Sequence, residues 1–265
     1  MFNQSKMNEQ QLGLYLRKLN ISANLSNDLD TLKKLQYHHL SHIPYENLDS
    51  LNGKITSLSH EDLFHKLIET PRGGICFELN GLYNWLLESL GYKVISYAAR
   101  IITKEEEYQM RRHRVICTEI NGQHYLTDVG VNMESPRTPL LLEKDIVQTD
   151  DISEYKFTIH PFWGWLLWQK EIGKDWKRIY GFTEEPQLDI DFVMPTIFCD
   201  VHPLSPINKI KKISILTPDM NIMIRGNLLK FYSSGKVIKR IEITNEEELK
   251  TILWNYFGII ADFTM

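Results

Sequence analysis

This 265-residue sequence has few cysteines, no large excess of one charge and no long apolar run, and each absence argues against a class of protein. Its three cysteines are widely spaced, which argues against a disulfide framework and a metal-binding pattern. A net charge of -4 argues against the basic surface that nucleic-acid-binding proteins use. The first residues lack the apolar core of a signal peptide, and no segment is apolar for long enough to span a bilayer. We therefore expect a cytoplasmic protein with reduced thiols, without a metal and without nucleic-acid or membrane partners.

The hydrophobic pattern changes near residue 92. Before that point apolar residues recur at helical spacing, as in residues 12–19, 32–40 and 63–68, which predicts a mainly helical region. After it, β-branched segments such as 94–97 and 115–120 are bounded by turn residues, which predicts strands. Turn signals at Pro203–Pro206 predict a second boundary.

Local patterns in the second half of the chain give three further predictions. The aromatic run 162–168 alternates as a strand does, and its tryptophans are expected to pack in a core. Phe198 and Cys199 lie in a second strand-like run, and both Cys199 and Cys117 are expected to be core thiols. Residues 244–247 have the Thr-x-x-Glu pattern of a capping box before a final amphipathic helix. The predicted apolar face of this helix consists of Leu249, Ile252, Leu253, Tyr256 and Phe257.

A cysteine at the predicted start of a helix is the most informative feature of the sequence. Cys76 follows Gly73 and Gly74, which let the backbone turn sharply, and apolar residues recur at helical spacing from Leu79 to Leu90. The positive end of the helix dipole favours a thiolate there, and Arg72 is expected to add to this effect. Cys76 is therefore a candidate nucleophile, with a buried structural thiol as the alternative.

A predicted hairpin supplies a base and an acid for this thiol. The two-residue turn Asn121-Gly122 is a strong hairpin signal, and counting outward from it places Val115 opposite Asp128. His113 lies two residues beyond Val115 on the same face, so His113 and Asp128 are diagonal neighbours within side-chain reach. A nucleophilic cysteine needs an imidazole to take its proton and a third group to orient that imidazole. Cys76, His113 and Asp128 are therefore the candidate catalytic residues.

Other titratable residues have simpler interpretations. His124 lies beside the hairpin turn and is expected at the surface. His38 and His42 form an i, i+4 pair that suits a metal, but no carboxylate clearly completes the ligand set, so a packing or solvated role is expected. Glu46 and Glu78 are alternative acids, although buried glutamates near an arginine are more often ion-pair partners.

Several separated blocks of the sequence resemble the arylamine N-acetyltransferase family, in the same order along the chain. Agreement of several blocks in order is more specific than any one motif. The blocks are His39–Asp49, Arg72–Asn80, Tyr125–Gly130, the residues Trp176, Tyr180, Phe182 and Pro186, the pair Asp191-Phe192, and His202–Pro206.

The resemblance implies an α+β fold in three parts around a cysteine-protease-like catalytic core. Residues 1–91 would form a helical bundle that carries the cysteine. Residues 92–203 would form a β-barrel that carries the histidine and the aspartate, and residues 204–265 an α/β lid.

The resemblance also implies an activity. Cys76, His113 and Asp128 would act as a triad that takes an acetyl group from acetyl-coenzyme A and passes it to an aromatic amine or hydrazine in a ping-pong reaction. A metal is not implied. The residues implied for coenzyme contacts are Phe198 and His202, from their segment, and Asn132, from its loop position.

Two departures from the family pattern concern the acceptor. The acid motif continues as Val131-Asn132 where the family usually has Phe-Gly, and Arg112 stands before His113 where Thr or Ser is common. The arginines of 111–114 either bind coenzyme phosphates or solvate a loop, and the second interpretation is preferred. The alternative functions are a silent or acceptor-shifted paralogue that binds coenzyme A or aromatic amines, and a papain- or transglutaminase-like enzyme.

Overall fold

The computed structural model describes residues 5–22, 25–102, 109–218, 220–233 and 235–261. Within these ranges the chain forms seven α-helices and two antiparallel β-sheets, which is the α+β class predicted from the sequence. The helices are α1 Glu9–Lys18, α2 Leu29–His42, α3 Leu48–Leu51, α4 His60–Phe64, α5 Cys76–Ser89, α6 Val193–Val201 and α7 Glu246–Phe257. The strands are β1 Tyr45–Glu46, β2 Lys93–Ile101, β3 His113–Ile120, β4 Gln123–Thr127, β5 Leu140–Leu141, β6 Gln148–Thr149, β7 Ser153–His160, β8 Gly164–Glu171, β9 Lys177–Gln187, β10 Lys212–Leu216, β11 Asn221–Arg225, β12 Leu228–Ser233 and β13 Lys236–Glu242.

Helix α5 lies at the centre of the helical region, whose helical character is confirmed. Every residue from Cys76 to Leu87 is buried, as expected for a helix that packs on all sides. The backbone N–H of Ile75 donates to Oε2 of Glu78 at 2.9 Å, which is one half of a capping interaction. This bond satisfies a donor at the helix start, where the main chain has no helical acceptor.

The larger sheet is a nearly closed eight-stranded barrel with the strand order β5-β4-β3-β2-β9-β8-β7-β6. Its two edge strands are joined by one side chain, because Gln148 accepts from the Leu141 N–H at 2.7 Å and donates to the Leu141 carbonyl at 2.8 Å. The interior contains buried aromatic residues, among them Tyr97, Phe157 and Tyr180. On its outside the barrel packs against α5 through β2 and β3.

The smaller sheet has the order β1-β10-β11-β12-β13 and packs against α7. Its first strand comes from the helical region, since Tyr45 pairs with Ser214 of β10. The Asn47 side chain extends this link by accepting from the Lys212 N–H at 2.8 Å and donating to the Ile210 carbonyl at 2.9 Å. The C-terminal sheet is thus joined by backbone pairing to the region that carries Cys76.

The strand predicted over residues 162–168 begins only at Gly164, so the prediction is wrong for Phe162 and Trp163, which lie in the turn after β7. Gly164 has a φ of +72°, and a Cβ there would lie 2.3 Å from the Phe182 carbonyl oxygen. Only glycine suits this position, and alternating hydrophobicity alone does not reveal the turn.

The strand predicted around Phe198 and Cys199 is also wrong, because both residues lie in α6. Phe192, Thr196 and Cys199 are buried at intervals of four and three residues, which is the helical period. The Thr196 hydroxyl donates to the Phe192 carbonyl at 2.7 Å. Apolar and β-branched residues concealed this period, because a short apolar run is compatible with either structure.

The final helix forms as predicted, but its cap lies one residue later. Asn245, not Thr244, is the N-cap, and its side chain accepts from the Glu248 N–H at 2.9 Å. The Glu248 carboxylate in turn accepts from the Thr244 N–H at 2.9 Å. The predicted apolar face packs against the smaller sheet.

The helices and the barrel follow one another along the chain. The strands of the barrel fall within residues 93–187, whereas the smaller sheet combines residues 45–46 with strands from residues 212–242. The division at 1–91, 92–203 and 204–265 stays a prediction.

In the described residues no helix has both the length and the apolar character needed to cross a membrane.

Candidate functional site

Cys76 is the first residue of α5, and its side chain is almost fully enclosed, at 7 % exposure. Its Sγ lies 3.7 Å from the backbone carbonyl oxygen of Arg112, which is the length of a weak thiol hydrogen bond. Arg112 directly precedes β3. The start of the helix therefore meets the start of the strand that carries His113.

The β3–β4 hairpin has the predicted register. Its turn, Asn121-Gly122, has φ values of 53° and 78°, as a type I′ turn requires, and the ladder continues to the pair Ile116 and Thr127. Asp128 directly follows β4 and reaches back across the pair of strands. Its Oδ2 lies 2.7 Å from Nε2 of His113, and both residues are buried. The hairpin thus brings together the two residues that the sequence paired.

Asn80 and Gly130 hold the loop after β4 against the start of α5. Asn80 donates to Oδ1 of Asp128 at 2.9 Å and accepts from the Val129 N–H at 3.0 Å. A Cβ at Gly130 would lie 2.7 Å from the Cα of Cys76, so the loop backbone packs directly on the helix. These contacts place the aspartate beside the cysteine as well as beside the histidine.

Burial raises the pKa of the Cys76 thiol well above its usual range, and the neighbouring Cys199 thiol and Asp128 carboxylate act in the same direction. Arg112 and the Phe77 N–H at the helix start lower it. The helix start thus acts in the predicted direction, but burial outweighs it. Formation of the thiolate therefore depends on a base that accepts the proton inside the site.

Tyr180 packs against the histidine. Its ring centroid lies 5.2 Å from that of His113, and its side chain is fully buried. Burial, and then the charge of Asp128, raise the pKa of Tyr180, so the phenol stays neutral. The ring therefore covers one side of the imidazole without adding charge.

A second group of buried charges lies at the other side of the same segment. Arg72 binds Glu46 at 2.7 Å and Asp49 at 2.8 Å, and Lys66 binds Asp49 at 2.9 Å and Glu78 at 2.7 Å. Glu46 and Glu78 are therefore ion-pair partners, as predicted. The expected contribution of Arg72 to the thiol is wrong, because two carboxylates compensate its charge.

The three arginines around His113 differ in their surroundings. Arg111 pairs with Glu185 at 2.6 Å, and the buried Arg114 pairs with Asp189 at 2.8 Å. A solvated role is therefore wrong for Arg114. Arg112 is half-buried, its Nε is buried without a hydrogen-bond partner, and it makes no ion pair with any residue that the structure describes. It is the one uncompensated cation of these three.

Asn132 lines a cleft of about 520 Å³ between the barrel and the smaller sheet. Two cations of the cleft, Lys212 and Arg225, lie directly opposite each other on β10 and β11. Burial, then the charges of Arg112 and Arg225, lower the pKa of Lys212. Cationic residues that line this cleft are Arg137, Lys174, Lys177, Lys212 and Arg225.

The other two residues predicted to contact the coenzyme lie elsewhere. Phe198 and His202, whose ring centroids are 4.6 Å apart, line a separate and mostly apolar cleft of about 730 Å³. The structure therefore does not bring them into one cleft with Asn132. Their role stays a prediction.

Of the remaining histidines and thiols, Cys199 lies near Cys76 in the same buried cluster. His124 is exposed, as predicted, and the rings of His38 and His42 stack with centroids 5.5 Å apart. Among the residues described, no three or more histidine, cysteine or acidic side chains form a group suited to a metal. Cys117 and Cys199 are buried, as expected, and burial raises the pKa of each to about 12.

Sequence reasoning missed three residues of the site region. Asn80 had a usable signal, because it is a polar residue one turn after Cys76 and therefore on the same face of the helix. Lys212 and Arg225 had no such signal, because they lie opposite each other only once β10 and β11 are paired.

A buried cysteine at a helix start and a buried histidine–aspartate pair on the adjacent hairpin are the residue types that thiol-dependent hydrolases and acyl transferases use. Residues 28–264 match a family model described as N-acetyltransferase. The chain is 31% identical over 254 residues to an arylamine N-acetyltransferase of Mycolicibacterium smegmatis, covering 94% of this chain and 91% of that protein.

Solved structures agree with this match. An arylamine N-acetyltransferase from Salmonella typhimurium superimposes with a TM-score of 0.91 at 26% identity, covering 96% of this chain and 92% of the other. The Mycobacterium marinum arylamine N-acetyltransferase in complex with CoA gives a TM-score of 0.88 at 29% identity, covering 94% and 92%. The chain belongs to the arylamine N-acetyltransferase family and is an acetyltransferase.

Proposed function

We propose that the protein transfers an acetyl group from acetyl-coenzyme A to an aromatic amine or hydrazine through an acetyl-Cys76 intermediate. The contact that carries this proposal is the 2.7 Å pairing of His113 with Asp128 beside the enclosed thiol. The complex of the Mycobacterium marinum relative with CoA supports coenzyme A as the carrier of the acetyl group.

In the first half-reaction His113 takes the proton of Cys76. Its Nε2 is bound to Asp128, so Nδ1 is the ring nitrogen left for this proton. Asp128 stabilises the imidazolium that forms, which offsets the effect of burial on the thiol. Sγ then attacks the thioester carbonyl carbon, the bond from that carbon to the coenzyme sulfur breaks, and the sulfur leaves with the proton from His113.

In the second half-reaction the amine nitrogen attacks the acetyl carbon on Cys76. His113 accepts a proton from the nitrogen, and the bond between the acetyl carbon and Sγ breaks. The proton then returns to the Cys76 sulfur. The enzyme regains its starting state, and the product is an amide.

For the coenzyme phosphates we propose the pair Lys212 and Arg225. Like charges directly opposite on neighbouring strands are destabilising on their own, so a bound anion would relieve this pair. The cleft that they line also contains Asn132, which follows the loop of Asp128. The proposal therefore keeps Asn132 near the coenzyme and leaves Phe198 and His202 to be tested separately.

Intact mass after incubation with acetyl-coenzyme A tests the proposal. We expect one added acetyl group on the wild type and none on Cys76→Ala. Lys212→Gln should raise the coenzyme concentration needed for half-loading by about tenfold, the loss of one charge-assisted contact, whereas the exposed control Lys33→Gln should leave it unchanged. An adduct that persists in Cys76→Ala contradicts the mechanism, and binding without an adduct indicates a silent paralogue. If His202→Ala raises the coenzyme concentration for half-loading and Lys212→Gln does not, the coenzyme binds in the cleft lined by Phe198 and His202.

The cysteines also support a location. Cys76, Cys117 and Cys199 are all free and buried. A nucleophilic thiol must stay reduced in order to react. We therefore propose a reducing, cytoplasmic setting, as the sequence predicts.

A further inference from the structure

We propose that Arg112 binds a carboxylate on the acceptor, so that the site prefers an aromatic amine that carries a carboxylate over a neutral one. The inference rests on the proposed acetyl transfer and specifies its acceptor class. Its basis is that the backbone of Arg112 contacts the reactive thiol while its side chain has no ion-pair partner among the residues described.

Arg112 lies at the junction of three elements around the thiol. Its carbonyl oxygen is 3.7 Å from Sγ of Cys76, and the next residue is His113. Burial raises the pKa of Cys76, of Cys199 on α6 and of Tyr45 on β1, and the charge of Arg112 opposes this rise at each of them. Burial, and then the same charge of Arg112, lower the pKa of Lys212 on β10. An anion bound to this guanidinium would therefore lie in the region around Cys76.

The two neighbouring arginines show what Arg112 lacks. Arg111 has Glu185 as a partner and Arg114 has Asp189. Arg112 has no ion-pair partner among the residues described, and its buried Nε has no acceptor. A buried donor without an acceptor costs free energy, and a carboxylate would satisfy the planar guanidinium with two parallel hydrogen bonds.

The anion at Arg112 differs from a coenzyme phosphate. The pantetheine arm separates the phosphates of coenzyme A from its thioester, so a phosphate cannot lie beside Cys76 while the thioester reacts there. An acceptor has the opposite requirement, because its nitrogen must reach the acetyl carbon and its ring must lie close by. A carboxylate on that ring is therefore the anion that Arg112 can bind during acetyl transfer.

Two acceptors of matched shape test this assignment, 4-aminobenzoate and 4-aminobenzamide. Each is assayed with the wild type, Arg112→Gln, Arg112→Lys and the control Arg111→Gln, with thermal unfolding measured for each variant. In Arg112→Gln we expect the ratio of kcat/KM for the benzoate to that for the benzamide to fall by about tenfold to a hundredfold. Arg112→Lys should restore part of the ratio, because an ammonium keeps the charge without the planar fork. Arg111→Gln should keep the wild-type ratio.

The ratio isolates the acceptor, because both amines react with the same acetyl-enzyme and any effect of the charge on Cys76 cancels. An equal fall for both acceptors, or no fall, overturns the assignment. Loading with malonyl-coenzyme A and acetyl-coenzyme A tests the other source of a carboxylate. If Arg112→Gln loses only malonyl loading and keeps the acceptor ratio, the anion belongs to the acyl group and the assignment is wrong. A wild type that never becomes acetylated contradicts the proposed function itself, whereas normal acetylation with an unchanged ratio contradicts only this inference.

Discussion

Two buried polar clusters share the segment Arg72–Asn80, and they differ in how their charges are balanced. The structural cluster comprises Glu46, Asp49, Lys66, Arg72 and Glu78. The reactive cluster comprises Cys76, Asn80, His113 and Asp128. In the first, each charge has an oppositely charged partner within 2.9 Å. In the second, a neutral thiol lies beside a carboxylate–imidazole pair, and the nearby Arg112 has no partner among the residues described.

The comparison shows that pairing of each charge, and not burial alone, separates a stabilising cluster from a reactive one. The carboxylates of both clusters are buried, and both clusters use residues of the same short segment. Removing one partner from a cluster of ion pairs leaves an unpaired charge and costs stability. In the reactive cluster a proton can instead move between the thiol, the imidazole and a ligand. Substitutions in the two clusters should therefore affect different measurements.

The largest expected effect is on activity, from His113→Asn. Loss of the imidazole should lower kcat/KM for acetyl transfer by about a thousandfold to ten-thousandfold, since the thiol then has no base in the site. Steady-state kinetics with acetyl-coenzyme A and an aromatic amine measure this. The exposed His124→Asn is the matched control and should keep the wild-type rate. Equal losses in the two variants would refute the assignment of His113 as the base.

The next effect is on stability, from Arg72→Met. This change leaves Glu46 buried without its partner and should lower the free energy of unfolding by about 3–5 kcal/mol, while the folded fraction keeps its kcat/KM. Urea unfolding and kinetics on the same sample measure both. Lys93→Met, which breaks an exposed pair with Glu119, should cost about 1 kcal/mol or less. An inactive Arg72→Met enzyme of normal stability would mean that the two clusters are not separate.

The smallest effect is a pH dependence that belongs to the structural cluster. Burial raises the pKa of Asp49, but Lys66 and Arg72 outweigh it and hold the pKa well below its usual range. The folded protein thus binds fewer protons than the unfolded chain in acid, so Asp49 contributes stability that is complete above about pH 4 and is lost as the pH falls further. From pH 6 to pH 3 the unfolding free energy of the wild type should fall by about 1 kcal/mol more than that of Asp49→Asn. Urea titrations of the two proteins at both pH values measure this, and an equal fall in the two proteins would contradict the prediction.

Local signals in the sequence were sufficient for the parts of the site that form locally. The Asn121-Gly122 turn determines the hairpin register, and the register determines that His113 and Asp128 meet. The helix that begins at Cys76 follows from its apolar period. These features depend on residues close together in the chain, so periodicity and turn chemistry reveal them.

The rest depends on contacts between distant segments. Lys66 as the partner of Glu78, Asp189 as the partner of Arg114 and the opposition of Lys212 and Arg225 arise only when separate elements pack together. The helix α6 was concealed by a run of apolar residues that suits a strand equally well. A sequence pattern records local preference, and these positions are decided by tertiary packing.

Strand β1 limits how a ligand reaches the thiol. It lies just after α2 in the chain, yet its two residues pair with β10, and the side chain of the next residue, Asn47, bonds to the backbone of Ile210 and Lys212. A hinge opening between the helices and the smaller sheet would have to break this pairing and leave backbone groups unsatisfied. The pairing of β1 therefore opposes a hinge movement between these two parts of the molecule.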